Sequence, residues 1–222
     1  MKKIIILFTL LALLNSCSVI NNKDVSSLNF LPIDSELILN INDLINTKEI
    51  LSKNKNLSNI SFSKNKVLDQ LNSLTNEYSD NSGLLSLTSF GKNQTAYTYI
   101  REVNSQDSIS KTDLIKGEYQ NNKIFIDTSN IKNIYKTVLG NYIISSTEDI
   151  VLENIIRDSD LTNPKIDSDF LKIIKGTDSN DPFNIFINSK NSNLLLNNLS
   201  DLSFFPDLNN SWISYDFKYS LE

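Results

Sequence analysis

The apolar positions at the start of the chain form one short run, which a polar stretch without periodicity follows. Residues 4–14 are apolar except for Thr9, and Lys2 and Lys3 precede them. A run of this length fits the hydrophobic part of an export signal and is too short to span a bilayer comfortably as a helix. The pattern predicts a signal peptide over residues 1–16 and a polar tether over residues 17–29.

After residue 30, segments whose apolar residues have the spacing of a strand alternate with segments that have the spacing of a helix. Residues 36–42 form an apolar run that predicts a buried strand, and Asn42 or Asp43 can cap a helix directly after it. A second predicted helix covers residues 63–78. The apolar positions that carry the two helices are Leu44, Ile45, Leu51, Leu68, Leu71 and Leu74.

Short strands separated by turn residues follow in the middle of the chain. The predicted strands cover residues 94–102, 114–119, 123–127, 131–138 and 142–145. The first turn is Gln120-Asn121-Asn122, where asparagine tolerates the positive φ of a tight hairpin, and Gly140 with Asn141 is a strong turn signal. This pattern indicates an antiparallel meander.

Helices return in the last third of the chain. Acidic and hydroxyl side chains predict helix starts at residues 146–149 and 167–169, and Gly176 ends the second helix. Residues 182–188 predict a strand, with a helix around residues 194–199 after it. Since residues 36–42 are also followed by a helix, the pattern is compatible with a duplicated strand–helix unit and equally with chance similarity.

The most regular alternation lies over residues 212–221, with Ile213, Tyr215 and Phe217 on one face. This strand either closes the sheet against an earlier strand, or belongs to the N-terminal part of a longer protein. Together the elements predict the α+β class. We expect one domain over residues 30–222, built from strand–helix units, with a mainly antiparallel sheet of about six to eight strands and helices packed on one face.

Composition narrows the chemistry that the chain can carry. The 222 residues include no histidine, which excludes Ser-His-Asp and Cys-His catalysis and histidine-ligated metals. One cysteine excludes an intrachain disulfide. The net charge of −5, with lysines scattered among acids, argues against a nucleic-acid partner. We therefore expect no cofactor and no metal.

The signal ends on the sequence Leu14-Asn15-Ser16-Cys17. This segment resembles the lipobox of bacterial lipoproteins, which implies cleavage between Ser16 and Cys17 and acylation of Cys17 with palmitate-type chains. The residue after the cysteine is Ser18 and not the aspartate that retains lipoproteins in the inner membrane. The resemblance thus implies an outer-membrane lipoprotein, and leaves its periplasmic or surface orientation open.

The whole chain carries a second resemblance. The lipobox, the opening FLPIDSELILNIND and the later segment VLGNYIISSTEDIVLENII resemble uncharacterised envelope lipoproteins of the Bacteroidota, which carry repeated strand–helix units. These motifs are structural. The resemblance implies a fold style and a compartment, but no activity.

Two sets of residues could instead indicate an enzyme or a calcium site. Residues 61–64, 79–81 and 175–177 superficially resemble the S-x-x-K, S-D-N and K-T-G elements of serine β-lactamases, although the third is scrambled and the first two stand too close together. Paired aspartates could bind Ca²⁺ or act on glycosides, or could simply cap helices and line loops. The pairs are Asp158/Asp160, Asp167/Asp169 and Asp178/Asp181.

Two further features suit an envelope protein. Asp107-Ser108-Ile109 resembles the short O-glycosylation sequon of Bacteroidota envelope proteins, so Ser108 is a candidate glycosylation site. Tyrosines of the predicted strands could form an aromatic face for sugars, or could pack within the sheet. These tyrosines are Tyr97, Tyr99, Tyr119 and Tyr142.

The sequence therefore predicts a lipid-anchored outer-membrane protein that is not an enzyme and acts through binding or assembly. Its expected partners are the membrane, through the lipid anchor, and an envelope protein or glycan. The alternative is a hydrolase that uses a Ser/Lys or carboxylate site.

Overall fold

The chain forms a large antiparallel sheet with helices against it. The computed structural model describes residues 27–53, 64–75, 82–92, 94–104, 113–128, 133–159, 166–190 and 212–216. The strands are β1 (Ser35–Ile41), β2 (Gly83–Phe90), β3 (Gln94–Glu102), β4 (Leu114–Tyr119), β5 (Asn122–Asp127), β6 (Ile134–Leu139), β7 (Tyr142–Ser146), β8 (Phe183–Asn188) and β9 (Trp212–Asp216). The helices are α1 (Leu44–Lys53), α2 (Lys64–Thr75), α3 (Asp149–Ser159) and α4 (Ser168–Ile174).

The nine strands lie in the order β4-β5-β6-β7-β3-β2-β1-β8-β9, and every neighbouring pair is antiparallel. Hairpins form the half of the sheet from β4 to β7, because these four strands are neighbours both in the sequence and in the sheet. The other half needs a long-range contact, in which β8 returns to lie beside β1. That pairing places Leu39 opposite Ile185 and Leu37 opposite Ile187.

Helices cover both faces of the sheet. On one face, α1 and α2 pack over the odd-numbered residues of β1, β2, β3 and β8, such as Leu39, Leu85 and Tyr99. On the other face, α3 and α4 pack over the even-numbered residues, such as Ile38 and Ile100. The α+β class and the antiparallel sheet are thus confirmed, but the packing of helices on one face only is not, because β1 is apolar on both of its sides.

The helix starts have the predicted capping contacts. Asp43 Oδ1 accepts a hydrogen bond from Asn46 N at 2.9 Å, and Asp167 caps α4 by accepting from Asp169 N at 2.9 Å. The predicted stripe of α3 is buried, with Val151, Leu152, Ile155 and Ile156 inside. Over the described ranges, no helix has both the length and the apolar character that a membrane crossing requires.

Most strand predictions are confirmed, and one strand was missed. The predictions over residues 36–42, 94–102, 114–119 and 182–188 coincide closely with β1, β3, β4 and β8. The strand that sequence reasoning missed is β2, so the described residues form nine strands and not six to eight. Its central residues are all buried, yet Leu85-Ser86-Leu87-Thr88 alternates apolar and polar residues, so a strand signal was present in the sequence. Residues 217–221 of the last predicted strand lie outside the described residues.

The hairpin turns follow the predicted chemistry. Gln120 and Asn121 adopt φ values of 46° and 63° between β4 and β5. Gly140 adopts a φ of 56° between β6 and β7. Asn121 and Gly140 accept these left-handed conformations at low cost, whereas Gln120 adopts one that is uncommon for its residue type.

We predict that Gly83→Ala destabilises the protein by about 1–3 kcal/mol, the range for overpacking a filled site. A Cβ at Gly83 would lie 2.6 Å from the backbone oxygen of Ile100 and 2.7 Å from Tyr99 Cζ, and a backbone group cannot move aside. Urea denaturation measures the free energy of unfolding.

The matched control for this substitution is Gly117→Ala in β4, where no atom lies within 4 Å of the added carbon. This variant should be as stable as the original chain or slightly more stable, because alanine has less freedom to lose on folding. Equal unfolding midpoints for the two variants would contradict the close packing of β2 on β3.

Candidate binding cleft

The described residues form a cleft beside the N-terminal segment, on the face of the sheet that α3 and α4 cover. Its volume is about 530 Å³, within the range of small-molecule sites. Four parts of the fold meet there: the segment before β1, the end of α3, the start of α4 and the β8–β9 edge. The lining residues are Leu28, Asn29, Leu31, Pro32, Ile33, Asp34, Ser35, Ile38, Asp158, Ser159, Ile166, Asp167, Phe170, Asn188, Lys190 and Trp212.

Aromatic side chains of α4 and β9 form the inner wall of the cleft. The rings of Phe170 and Trp212 have centroids 4.5 Å apart, and Phe170 also meets Phe186 edge-on at 5.3 Å. Phe170 is 2% exposed and Trp212 9% exposed. Both side chains are therefore fixed by the core, which gives the cleft a rigid apolar wall.

The N-terminal segment forms the opposite wall. Leu28 is buried in the core although the sequence places it in the predicted tether. The backbone turns at Pro32, whose carbonyl accepts hydrogen bonds from Ser35 N and Ser35 Oγ. Ser35 Oγ also lies 2.8 Å from Ser86 Oγ, so the turn is held against β2. The N-terminal segment is thus held at Leu28, which is buried in the core, and at Ser35, which contacts Pro32 and Ser86.

The charged side chains that line the cleft are mainly acidic. Three aspartates line it, Asp34, Asp158 and Asp167, against one lysine, Lys190. Lys190 Nζ lies 3.9 Å from Asp167 Oδ2, so an acid of the cleft already balances this charge. The lining therefore carries a net negative charge.

Asp167 connects the cleft to the helix that forms its wall. Its Oδ1 accepts the hydrogen bond from Asp169 N that caps α4. Its Oδ2 accepts a hydrogen bond from the indole Nε1 of Trp212 at 3.3 Å. One carboxylate thus fixes the start of α4 and the orientation of the tryptophan ring.

Other site residues predicted from sequence lie apart from the cleft or outside the described residues. Ser16, Cys17 and Ser108 fall in the ranges that the structure does not describe, as do residues 61–63 and 79–81 of the β-lactamase-like set. Lys175 and Thr177 of that set are placed at the end of α4, where Thr177 Oγ1 donates to the Ile174 carbonyl oxygen. These two residues have an evident helix-ending role.

The paired aspartates mostly have local structural roles. Asp167 and Asp169 begin α4, and Asp178 accepts hydrogen bonds from the backbone and side chain of Asn180. Asp181 is 7% exposed, and its Oδ2 has no hydrogen-bond partner among the described residues. Within the same ranges, no three histidine, cysteine, aspartate or glutamate residues are grouped so that they could hold a metal ion.

The tyrosines considered as a sugar-binding face lie on different sides of the sheet. Tyr97 and Tyr99 are buried under α1 and α2, whereas Tyr142 packs in the other cluster against Phe30 at 5.3 Å. Burial raises the pKa of the Tyr97 hydroxyl to about 12. The alternative of ordinary sheet packing is therefore confirmed for these three residues.

Sequence reasoning missed the cleft as a site. It identified Asp167 as a helix cap and placed Trp212 at the start of a strand, but nothing in their spacing joins them to the segment before β1. The one available signal is the single tryptophan of the chain, since large aromatic residues are enriched at binding sites.

We predict that Asp167→Ala destabilises the protein by about 1 kcal/mol, because it removes the cap of α4. Asp167→Asn should retain most of that stability, since asparagine caps helices well. Asp34→Ala is the matched control within the same cleft, because Asp34 is exposed and makes no hydrogen bond to another described residue. Urea denaturation should separate Asp167→Ala from the other two variants; equal midpoints for all three would contradict the capping role.

Three comparisons with known proteins complete the description of the site. No family model, no curated protein and no solved structure matches this chain. The cleft and the sequence patterns therefore carry the functional argument by themselves.

Proposed function

We propose that this protein is a lipid-anchored lipoprotein of the bacterial outer membrane, of the Bacteroidota type, and that it acts by binding an amphipathic ligand in the cleft. In this proposal it is not an enzyme, and its anchoring partner is the membrane. An envelope protein or glycan is its further partner. The observation that carries the proposal is the cleft of about 530 Å³, with a rigid apolar wall and a polar rim.

The chemistry of the lining supports a ligand of mixed character. Leu31, Pro32 and Ile33 offer accessible apolar surface, whereas Asn29 and Asp34 offer polar groups at the same cleft. Ligand sites commonly combine an apolar lining with a few polar groups that orient the ligand. A purely polar ligand would leave the apolar wall in contact with water, at a cost of about 25 cal/mol per Å².

The predicted anchor would keep this cleft close to the membrane. Leu28, which lines the cleft, follows the lipobox cysteine Cys17 by only a short segment. An extended chain spans at most about 3.6 Å per residue, so the cleft would stay within about 40 Å of the acylated residue. Amphipathic molecules are concentrated at such a surface.

We also infer that β1–β2 and β8–β9 are two copies of one strand–helix unit. Leu39 is the middle residue of segment 36–42 and Ile185 is the middle residue of segment 182–188, and these two residues lie opposite each other. The outer partners follow the same relation, since Leu85 of β2 lies opposite Leu39 and Tyr215 of β9 opposite Ile185. This two-fold relation supports duplication over chance similarity, although the second predicted helix lies outside the described residues.

The anchor has a direct test. We expect intact-mass analysis of membrane-extracted protein to show a chain that begins at Cys17 and carries acyl groups, because the lipobox directs cleavage and acylation there. Cys17→Ala should abolish the added mass and release the protein from the membrane, since no other cysteine is present. An unmodified native protein in the soluble periplasmic fraction would contradict the proposal.

Ligand binding can be followed through Trp212, because it is the only tryptophan and lines the cleft. We expect octyl glucoside, below its micelle concentration, to shift the tryptophan emission in a saturable way. Hexyl glucoside should bind about fifteenfold more weakly, since each buried methylene contributes about 0.8 kcal/mol.

A pair of isoleucines provides the matched control for this titration. Ile33 lines the cleft and is 47% exposed, whereas Ile45 on α1 is 57% exposed on the opposite face. Ile33→Ser should weaken octyl glucoside binding severalfold and Ile45→Ser should leave it unchanged. No saturable change in emission, or equal losses in the two variants, would overturn the proposal that the cleft is the binding site.

A further inference from the structure

A buried lysine lies between two buried carboxylates on the Tyr99 face of the sheet, away from the cleft. Lys136 of β6 donates hydrogen bonds to Asp113, directly before β4, and to Asp127, at the end of β5. We propose that Lys136 and Asp113 become joined by an isopeptide bond, an amide between their side chains, and that Asp127 transfers the protons. This inference is independent of the ligand cleft.

The two aspartates face the lysine in different ways. Lys136 Nζ lies 3.4 Å from Asp113 Oδ1 and 3.3 Å from Asp113 Oδ2, so the amine faces both oxygens and the carboxyl carbon between them. Asp127 presents its Oδ2 to the same nitrogen at 3.3 Å, which is a suitable position for accepting a proton. Reacting groups held about 3–3.5 Å apart need little further movement to react.

Burial gives these groups a chemistry that they would lack in water. The side chains of Lys136, Asp113 and Asp127 are 6%, 0% and 4% exposed. A site of low dielectric constant favours uncharged forms, so transfer of a proton from the ammonium to a carboxylate becomes accessible. This transfer produces the neutral amine that can attack a carboxyl carbon. The exclusion of water also protects the amide from hydrolysis.

The reaction balances without a cofactor or an oxidant. Lys136 enters as an ammonium and Asp113 as a carboxylate; the Nζ–Cγ bond forms, and one Cγ–Oδ bond of Asp113 breaks. Asp127 accepts protons from the nitrogen and passes them to the departing oxygen, which leaves as water with two of the three ammonium protons. The third proton stays on the amide, and Asp127 ends as it began. A neutral amide replaces two buried charges, which removes the cost of keeping them out of water.

The position of the bond gives it a structural purpose. Strand β4 is an edge of the described sheet and pairs with β5, and its Leu114 and Ile115 are 60% and 62% exposed. A bond from Asp113 to Lys136 would fasten this edge strand to β6 across β5. Such a cross-link restricts the unfolded chain as a disulfide does, and the single cysteine cannot form a disulfide within the chain.

The test is trypsin digestion of the denatured, full-length protein after extraction from the membrane, followed by mass spectrometry. Trypsin cuts after free lysines, so it should not cut after a linked Lys136. We expect residues 112–116 to be recovered covalently attached to residues 133–157, and the intact chain to be lighter by one water molecule than its sequence and acyl groups require. Separate peptides and a full mass would overturn the proposal. A link to residues 124–132, which contain Asp127, would overturn the choice of Asp113.

An exposed ion pair provides the control within the same digest. Lys172 Nζ lies 2.9 Å from Asp169 Oδ1, closer than the buried contacts, but the two side chains are 76% and 58% exposed. Trypsin should cut completely after Lys172, because water keeps both groups charged. A link at this exposed pair would contradict the role of burial.

The substitution Asp127→Asn tests the proton transfer. Asparagine has nearly the same shape but does not accept a proton from the amine, so the link should form at least about a hundredfold more slowly, the lower range for loss of a general base. Urea denaturation shows whether the variant folds, and the digest of the unsubstituted protein decides the proposal if it does not. A link that forms at the original rate in the folded variant would overturn the role of Asp127.

Discussion

Residues 37–41 and 183–187 lie opposite each other towards one edge of the sheet, although most of the chain separates them in sequence. This β1–β8 pairing attaches β8 and β9 to the rest of the sheet. It also lets each face of β1 contribute to a separate core, with Leu39 under α1 and α2, and Ile38 on the side of α3 and α4. Without it, β8 and β9 would have no attachment to the sheet, and the cleft would lose its β8–β9 side.

The β1–β8 pairing also explains the position of the cleft. The cleft lies at the end of this pair where Ser35 and Asn188 stand. At the end of β1, the backbone N–H groups of Asn42 and Asp43 both donate to the Pro182 carbonyl oxygen, and Asn42 Nδ2 donates to the Asp181 carbonyl oxygen. Those contacts hold the strand ends together. At the opposite end of the β1–β8 pair, Asn188 Oδ1 accepts a hydrogen bond from Lys190 N, and Asn188 and Ser35 line the cleft. The cleft thus lies at the end of the β1–β8 pair that carries Ser35 and Asn188, and the other end is held by the hydrogen bonds of Asn42 and Asp43.

Local features of the fold could be predicted from sequence to a large extent. The hairpin at Gly140, the buried stripe of α3 and the cap at Asp167 each depend on residues that are close in the chain, so their pattern is visible in the sequence. The strand β2 was missed although Leu85-Ser86-Leu87-Thr88 alternates apolar and polar residues, so its signal was present in the sequence.

Long-range features could not be predicted in the same way. The order of the strands and the covering of both faces depend on the β1–β8 contact, for which the sequence carries only the similarity of two short segments. The candidate cleft depends on the same contact, since it brings Leu28, Asp167 and Trp212 together from three distant parts of the chain. The net negative charge of the cleft lining also arises because these distant residues come together, and no sequence motif indicates it.

The position of β8 beside β1 also determines the order in which the protein can fold. Strand β1 is the first strand of the described residues to be synthesised, but the neighbour that covers its second edge is made much later. Until then, the open edge and the apolar side chains of β1 can pair with other chains, which is the usual route to aggregation. Contacts of such long range also fold slowly. A chain with this topology therefore leaves one edge of β1 open until the last described strands have formed.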